Sequence, residues 1–358
     1  MKGILDRIYI IKAISGENPV QFSRLTLGEI PQIGNFLMSV WTAKYGEMGF
    51  QNFDENYLKW ILGGPHKDRN FLLGGKIQNE LMTYCSFLHH RILYSGNLLE
   101  GYLVTHMTLA PYLGSQVRFN CLLQTAGYIE KLYLSPNCDF MYFFSEGAKS
   151  VPELFRHLLG KYTKMDVKDI YQFSFNQFLL AAKELLKYCQ ENAEAINKVQ
   201  VRDALEKDFG GITGLFNRAS NSKAEFIVQM TEGELKHYFC GHPTHRTAVI
   251  EIQGIIEGFI NYYPLEIIKG GKASEFVIIE YLILDHTNID YMAALLKEAV
   301  NHAVEVGAKG VVIENGTYLD LDECRVLGVK PTFRKMRMTI WSKNNLVKNL
   351  DGFRCSVK

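Results

Sequence analysis

The chain lacks the marks by which several protein classes declare themselves. Its seven cysteines (Cys85, Cys121, Cys138, Cys189, Cys240, Cys324 and Cys355) are odd in number and scattered, and no C-x-x-C pair occurs. Disulfide frameworks and structural zinc sites both need closer grouping, so the thiols are expected to be reduced. No block of basic residues stands out: 39 Lys and Arg face 38 Asp and Glu, a formal net charge of +1. That balance gives little support to a general polyanion-binding role, and nucleic acid is not an expected partner. No apolar run approaches the length of a membrane span. The N-terminal stretch MKGILDRIYIIKAISG is broken by Asp6, Arg7 and Lys12, so it lacks the apolar core of a signal peptide. A cytoplasmic location follows as the expectation.

At 358 residues, 47% of them hydrophobic, the chain has enough material for two domains with ample cores. A polar, helix-prone stretch, 177–222, separates two regions rich in strand signals, and Gly210, Gly211 and Asn221 punctuate its end. The second region reads as a helix over 232–239, strands over 246–253 and 255–263 around a turn at Gly254, and a strand over 276–284. A helix over 290–306 follows, with Met292, Leu295, Leu296, Ala299, Ala303 and Val306 on one face and Gly307 as its stop, then a strand over 311–314. The first region has a similar order. Helices precede Trp60, strands cover 70–74, 80–89 and 101–110, and a helix starts at Val117. A strand over 140–144, a helix over 152–159 and a strand over 170–175 complete the unit. Two units with one grammar suggest an internal structural repeat.

The stretch 101–127, GYLVTHMTLAPYLGSQVRFNCLLQTAG, is the most informative part. Leu103, Val104, Met107 and Leu109 fit a buried strand, and Phe119, Leu122, Leu123 and Ala126 recur at helical spacing after a short polar turn. A strand feeding straight into a helix start leaves backbone N–H groups and the positive end of the helix dipole facing outward, which suits an anion. The layout resembles the acyl-CoA segment of the GNAT superfamily of acyltransferases, where the fourth strand runs through a turn into a helix whose first N–H groups bind the CoA pyrophosphate. The usual GNAT turn reads Gln/Arg-x-x-Gly-x-Gly/Ala. Here Gly114-Ser115-Gln116-Val117-Arg118-Phe119 stands in its place, with Val117 and Phe119 at the motif glycines. A Cβ at each position narrows the anion's approach. The matching junction of the second region, 285–289, has no glycine at all, so a cofactor is expected in the first half.

Among tandem GNAT proteins this asymmetry resembles the N-myristoyltransferases, whose N-terminal half binds acyl-CoA. Tyr57-Leu58-Lys59-Trp60, Tyr112-Leu113-Gly114-Ser115-Gln116, Leu235-Lys236-His237-Tyr238-Phe239 and Gly258-Phe259-Ile260-Asn261-Tyr262-Tyr263 carry the likeness. The resemblance implies an α/β fold with a mixed sheet in two tandem GNAT-like domains. Residues 1–176 would bind acyl-CoA, 177–222 form a helical connection, and 223–358 carry the acceptor site. It implies an N-acyltransferase that moves an acyl group, fatty chains included, from acyl-CoA or acyl carrier protein. The acceptor would be an amine of a peptide, amino acid or small molecule, and no metal is required.

By position, the backbone N–H groups of His106 and Met107 would polarise the thioester carbonyl. Tyr142 would protonate the leaving thiolate, although a core tyrosine with a satisfied hydroxyl is the commoner fate of such a residue. The resemblance offers the C-terminal carboxylate, on Lys358, as the base, with Glu100 and Glu280 as other candidates. Leu109, Ser115, Gln116, Val117 and Arg118 would hold the cofactor, Arg118 as counter-charge. His237, His242 and His245 invite a zinc reading, but they fall around a Pro-interrupted loop and lack a fourth ligand at sensible spacing other than Cys240. His89 and His90 adjoin on a strand and so point to opposite faces. Two further readings remain: a non-catalytic GNAT-like scaffold that binds a ligand or peptide, and an aminoacyl transferase using charged tRNA.

Overall fold

The computed structural model describes residues 20–146, 161, 170–218, 225–314, 321–343, 346–347 and 352–354. In the first half, β1 (Gln21–Leu25) leads to α1 (Ile30–Tyr45), a short β2 (Phe50–Gln51) and α2 (Glu55–Leu62). Then come β3 (Phe71–Ile77), β4 (Glu80–Tyr94), β5 (Asn97–Leu109), α3 (Ser115–Tyr133) and β6 (Phe140–Glu146). The middle of the chain holds β7 (Ile170–Leu180), α4 (Ala182–Glu191), α5 (Ala193–Ile196), β8 (Val201–Asp203) and α6 (Phe209–Asn217). The second half continues with β9 (Glu225–Val228), α7 (Glu232–Cys240), β10 (Arg246–Ile252), β11 (Ile255–Lys269), β12 (Lys272–Leu284) and α8 (Ile289–Glu305). It closes with β13 (Val311–Ile313), α9 (Leu321–Val326), β14 (Val329–Ser342) and β15 (Gly352–Arg354).

Four hairpins set the frame, and each has a two-residue loop with both residues at positive φ: Gln78-Asn79, Ser95-Gly96, Gln253-Gly254 and Gly270-Gly271. Such turns match the right-handed twist of the strands they join. They generate the antiparallel triplets β3-β4-β5 and β10-β11-β12. After each triplet a long helix, α3 or α8, carries the chain to a parallel strand, β6 beside β5 and β13 beside β12. The expected repeat is therefore present in the sheet itself.

The sheet runs β1-β3-β4-β5-β6-β14-β7-β13-β12-β11-β10-β8. The strand expected to close the first unit, β7, lies instead between β14 and β13, and β14 from the far end of the chain fills the place beside β6. Each half is thus completed by a strand of the other. The stretch 177–222 contains the expected helices, but its first residues extend β7 and its β8 adds an edge strand to β10. The expected helix over 152–159 lies outside the described residues.

One face of the sheet is shared by the halves. Leu58, Tyr84, Leu103 and Tyr142 pack in one core with Phe216, Phe239, Phe259 and Tyr281. On the opposite face α3 covers the first triplet through Ala126, Ile129 and Tyr133, and α8 covers the second through Met292, Leu295, Leu296 and Ala299. Fully burying each such large apolar side chain is worth about 1.5–3 kcal/mol. All described cysteines are free thiols, and five of the six are buried.

Gly101 fixes where β5 meets β6. A Cβ there would lie 2.1 Å from the carbonyl oxygen of Phe140 and 2.9 Å from its carbonyl carbon. Those are backbone atoms inside the β5–β6 pairing and cannot swing aside. Gly101→Ala is expected to lower the unfolding free energy by about 3 kcal/mol, read from urea midpoints. A variant as stable as the parent would contradict this strand contact.

Candidate active site

Three features converge at the C-terminal end of β5. First, β5 pairs with β6 only from Gly101↔Phe140 to Val104↔Phe143, although β5 runs on to Leu109 and β6 to Glu146. Second, the register against β4 slips there: Thr105 faces Ser86 and Thr108 faces Tyr84, so His106 and Met107 share the single partner position of Cys85. Such a bulge re-aims side chains and breaks the ladder. Its effect is visible in the packing, since Val104 and Met107 lie on the α3 face while His106 and Thr108 turn toward the shared core. His106 carries φ = 53°, a left-handed conformation unfavourable for most side chains.

The bulge is held by its neighbours. His106 is 7% exposed, its Nδ1 is 3.0 Å from the Ser86 hydroxyl, and Phe53 meets its ring edge-on at 5.5 Å. The Ser86 hydroxyl donates to the Thr105 carbonyl at 3.1 Å, which leaves it to accept from Nδ1–H. The ring's Nε2 then carries the lone pair. Burial pushes the imidazole pKa down to about 4, so it is neutral near pH 7. Two residues on, the Trp41 indole donates to the Thr108 hydroxyl at 2.9 Å.

The third feature is the start of α3. Gly114 occupies the N-cap, and no side chain caps the helix. Ser115, Gln116 and Arg118 are exposed, whereas Val117 and Phe119 are half-buried, as is Leu109 at the strand end. The Arg118 guanidinium folds back to donate to the carbonyl of Pro111 at 2.6 Å and weakly to that of Leu113 at 3.4 Å. The equivalent helix of the second half differs: the Asn288 side chain accepts from the N–H groups of Asp290 and Tyr291 and closes the start of α8.

The second half repeats the strand geometry with other chemistry. Asn261 pairs Tyr281 and Tyr262 pairs Ile279, so Glu280 is the extra residue of a bulge on β12. β12 also leaves its parallel neighbour there, the last pair being Ile279↔Ile313. Glu280 is 5% exposed, and Glu314 donates its N–H to the Ile279 carbonyl at 3.1 Å. Burial first, then the carboxylates of Glu314 and Glu280, keep the Tyr263 hydroxyl protonated well above its ordinary range. Glu280 thus marks, in the second half, the position that His106 marks in the first.

The other expected residues are placed as follows. Tyr142 is fully buried, with its hydroxyl 2.5 Å from His90 Nδ1 and its ring against Phe140, Phe144 and Phe226. Glu100 lies six residues before the bulge, about 20 Å along the strand. The Lys358 carboxylate lies outside the described residues. His237, His242 and His245 each bond a different partner, the carbonyl of Trp60, the hydroxyl of Thr244 and the carbonyl of Tyr238. Among the described residues, the potential metal-ligating trio within 4.8 Å is Glu257, Asp285 and His286, and Arg218 pairs with Asp285 there. His89 and His90 do face opposite ways, His90 toward Tyr142 and His89 toward Glu100.

Sequence reasoning missed the link that ties the halves together. Glu234 on α7 pairs with His66 and, at 2.9 Å, with Arg91. Burial raises its carboxyl pKa, but hydrogen bonds from His66 and Thr231 outweigh that and lower it to about 2. The one available signal was the capping box Thr231-x-x-Glu234, which announces a helix start and says nothing of a distant partner.

Antiparallel triplet, helix, parallel strand and divergence at a bulge, all repeated once, give a tandem fold of the GNAT-like kind. No protein-family model matches the chain, and no curated protein matches its sequence. Solved structures do. N-myristoyltransferase of Saccharomyces cerevisiae with bound myristoyl-CoA is similar with a TM-score of 0.64 at 12% identity, over 96% of this chain and 85% of that one. An Enterococcus faecalis V583 protein described as a probable N-acyltransferase gives 0.55 at 10% identity, over 91% and 72%. A GCN5-related N-acetyltransferase from Kribbella flavida gives 0.51 at 14%, over 90% and 71%. The architecture is N-myristoyltransferase-like. Among the described residues no helix is long and apolar enough to cross a membrane.

Proposed function

We propose that the protein is an N-acyltransferase that uses an acyl-CoA thioester and an amine acceptor. The observation that carries this reading is the coincidence, at the end of β5, of strand divergence, a bulge and an uncapped helix start. Divergence leaves the β6-facing side of β5 without a strand partner beyond Val104, which suits an extended pantetheine and acyl chain. The amides of His106 and Met107 are the proposed donors to the thioester oxygen, where negative charge develops in the tetrahedral intermediate. The N–H groups at Ser115 to Val117 and the Ser115 hydroxyl are the proposed diphosphate contacts, with Arg118 released from the Pro111 carbonyl as counter-charge. The acceptor amine attacks the carbonyl carbon, loses a proton to a carboxylate, for which Glu280 is the proposed base, and the C–S bond breaks to give an amide and a CoA thiol. Tyr142 remains the proposed acid, its hydroxyl set by the contact with His90 Nδ1. In domain terms, residues 1–176 are proposed to bind the donor and 223–358 the acceptor.

Val117 and Phe119 favour a second reading, a scaffold that binds its ligand without turnover, because their side chains narrow the turn. Incubation with CoA thioesters of several chain lengths and a panel of amines, followed by intact-mass detection of amide and free CoA, separates the two. Amide formed by the parent and reduced at least about a hundred-fold in Glu280→Gln supports the transferase. Stabilisation by CoA thioesters without any amide supports the scaffold. Neither turnover nor a thermal shift with any thioester overturns both. At a hundred times its dissociation constant a bound thioester would add about 2.7 kcal/mol of stability.

A further inference from the structure

A second cleft, of about 310 Å³, opens on the first half at the other end of β5 from the bulge. It holds roughly ten water volumes, enough for a small metabolite. Phe71, His89 and Tyr102, one from each of β3, β4 and β5, contribute to it. Arg24 is already oriented: its Nη2 donates to the carbonyls of Asp68 and Asn70 at 3.2 and 2.8 Å, and its guanidinium lies 5.6 Å over the Phe71 ring. Preset cations of this kind lose little freedom on binding an anion. Arg69 also lines the cleft, held only loosely by Glu100 at 3.4 Å.

The other charge sign is present too. Glu100 bridges Arg69 and His89 at 3.4 and 3.6 Å, both long contacts. With His89 Nε2 turned toward that carboxylate, Nδ1 is left as the acceptor of a neutral ring. His89 is 3% exposed, and its Nδ1 has no hydrogen-bond partner among the described residues. That atom is itself shut off from the cleft, so the Glu100 carboxylate is the group left to meet a cation there. The cleft therefore presents two guanidiniums for an anionic group, and the Glu100 carboxylate for a cationic one.

We propose that this cleft binds a small zwitterion of the α-amino-acid type, with its carboxylate on Arg24 and Arg69 and its ammonium toward Glu100. The site is separate from the acyl-transfer site and does not depend on that activity. It does touch the seam between the halves, because the His89 ring meets His66 at 5.3 Å and His66 pairs with Glu234. Binding would then steady the contact between halves.

Individual L-α-amino acids at millimolar concentration, added to the full chain and followed by thermal shift and calorimetry, test the proposal. At least one should bind, and its C-terminal amide and its N-acetyl derivative should each bind at least about tenfold more weakly. Arg69→Ala, at a half-exposed side chain that the fold does not need, should weaken binding by a similar factor, and Glu100→Gln should weaken the free amino acid more than its N-acetyl derivative. Three results would overturn the idea: no amino acid binding, inorganic phosphate binding as well as the best amino acid, or Arg69→Ala binding as the parent does.

Discussion

His106→Val is expected to reduce acyl transfer by about a hundred-fold to a thousand-fold, the loss that follows removal of one oxyanion donor. The reason lies in the backbone. His106 holds φ = 53°, where an ordinary L-residue pays about 1–2 kcal/mol and a β-branched one more. Valine would relieve that strain by leaving the left-handed region, which rotates the neighbouring peptides and so re-aims the two amides proposed as donors to the thioester oxygen. It would also lose the Ser86 contact that steadies the ring. Asparagine tolerates the left-handed conformation, so His106→Asn should keep more of the rate than the valine variant. The measurement is kcat with a saturating thioester, with thermal melts to show that both variants are folded. Equal rates for the two would separate the bulge from the chemistry.

Acid should destabilise the protein well before its carboxylates are protonated. His90 and His106 are both buried; burial, helped at His90 by the neighbouring His89 and His66, depresses their pKa values to about 3 and about 4. In the unfolded chain each returns to about 6.5, so between these limits the unfolded state binds more protons than the folded state. The stability owed to the neutral rings is present above pH 6.5 and is lost as pH falls toward 4 and then 3. Each ring contributes a slope approaching about 1.4 kcal/mol per pH unit in that window, nearly 3 for the pair. Glu234, also depressed, acts lower, from its ordinary range down to about pH 2. Urea midpoints at pH 7.5, 6 and 5 measure the effect; burial, with His66 nearby, lowers His89 to about 4 as well, so His106→Asn should remove about a third of the slope. A stability that is flat over this range would show that these rings are not held neutral.

Much of the first-order plan was legible in the chain. Apolar, strand-prone runs placed the cores of β3, β4, β5, β10, β11 and β12, and the apolar face from Met292 to Val306 placed α8, because these signals arise from neighbours within a few residues. His89 and His90 could be assigned to opposite faces by the same rule. The bulge could not be read, since a slip of register is set by the strand across from it, and nothing in TLAPYL or THM announces an extra residue. Glu280 was visible as a carboxylate on the matching strand, yet its bulge and burial depend on β11 and on the departure of β13. The exchange of β7 and β14 was hidden as well. Partner choice is a contest between strands more than a hundred residues apart in sequence, and no local pattern in either strand decides it.

What the amino-acid order determined alone is therefore local: which segments are strands or helices, the turn at Gly254, and that the grammar occurs twice; a break expected at Gly75 falls inside β3, whose turn is Gln78-Asn79. Tertiary structure decided the rest. It chose which strand completes each half, opened the angle between β5 and β6, left α3 uncapped while Asn288 closed α8, and brought His66 to Glu234 across the seam. The division has a physical cause. Backbone propensity and side-chain period act over a few residues, whereas register, burial and charge pairing are settled only when distant surfaces compete for the same contacts.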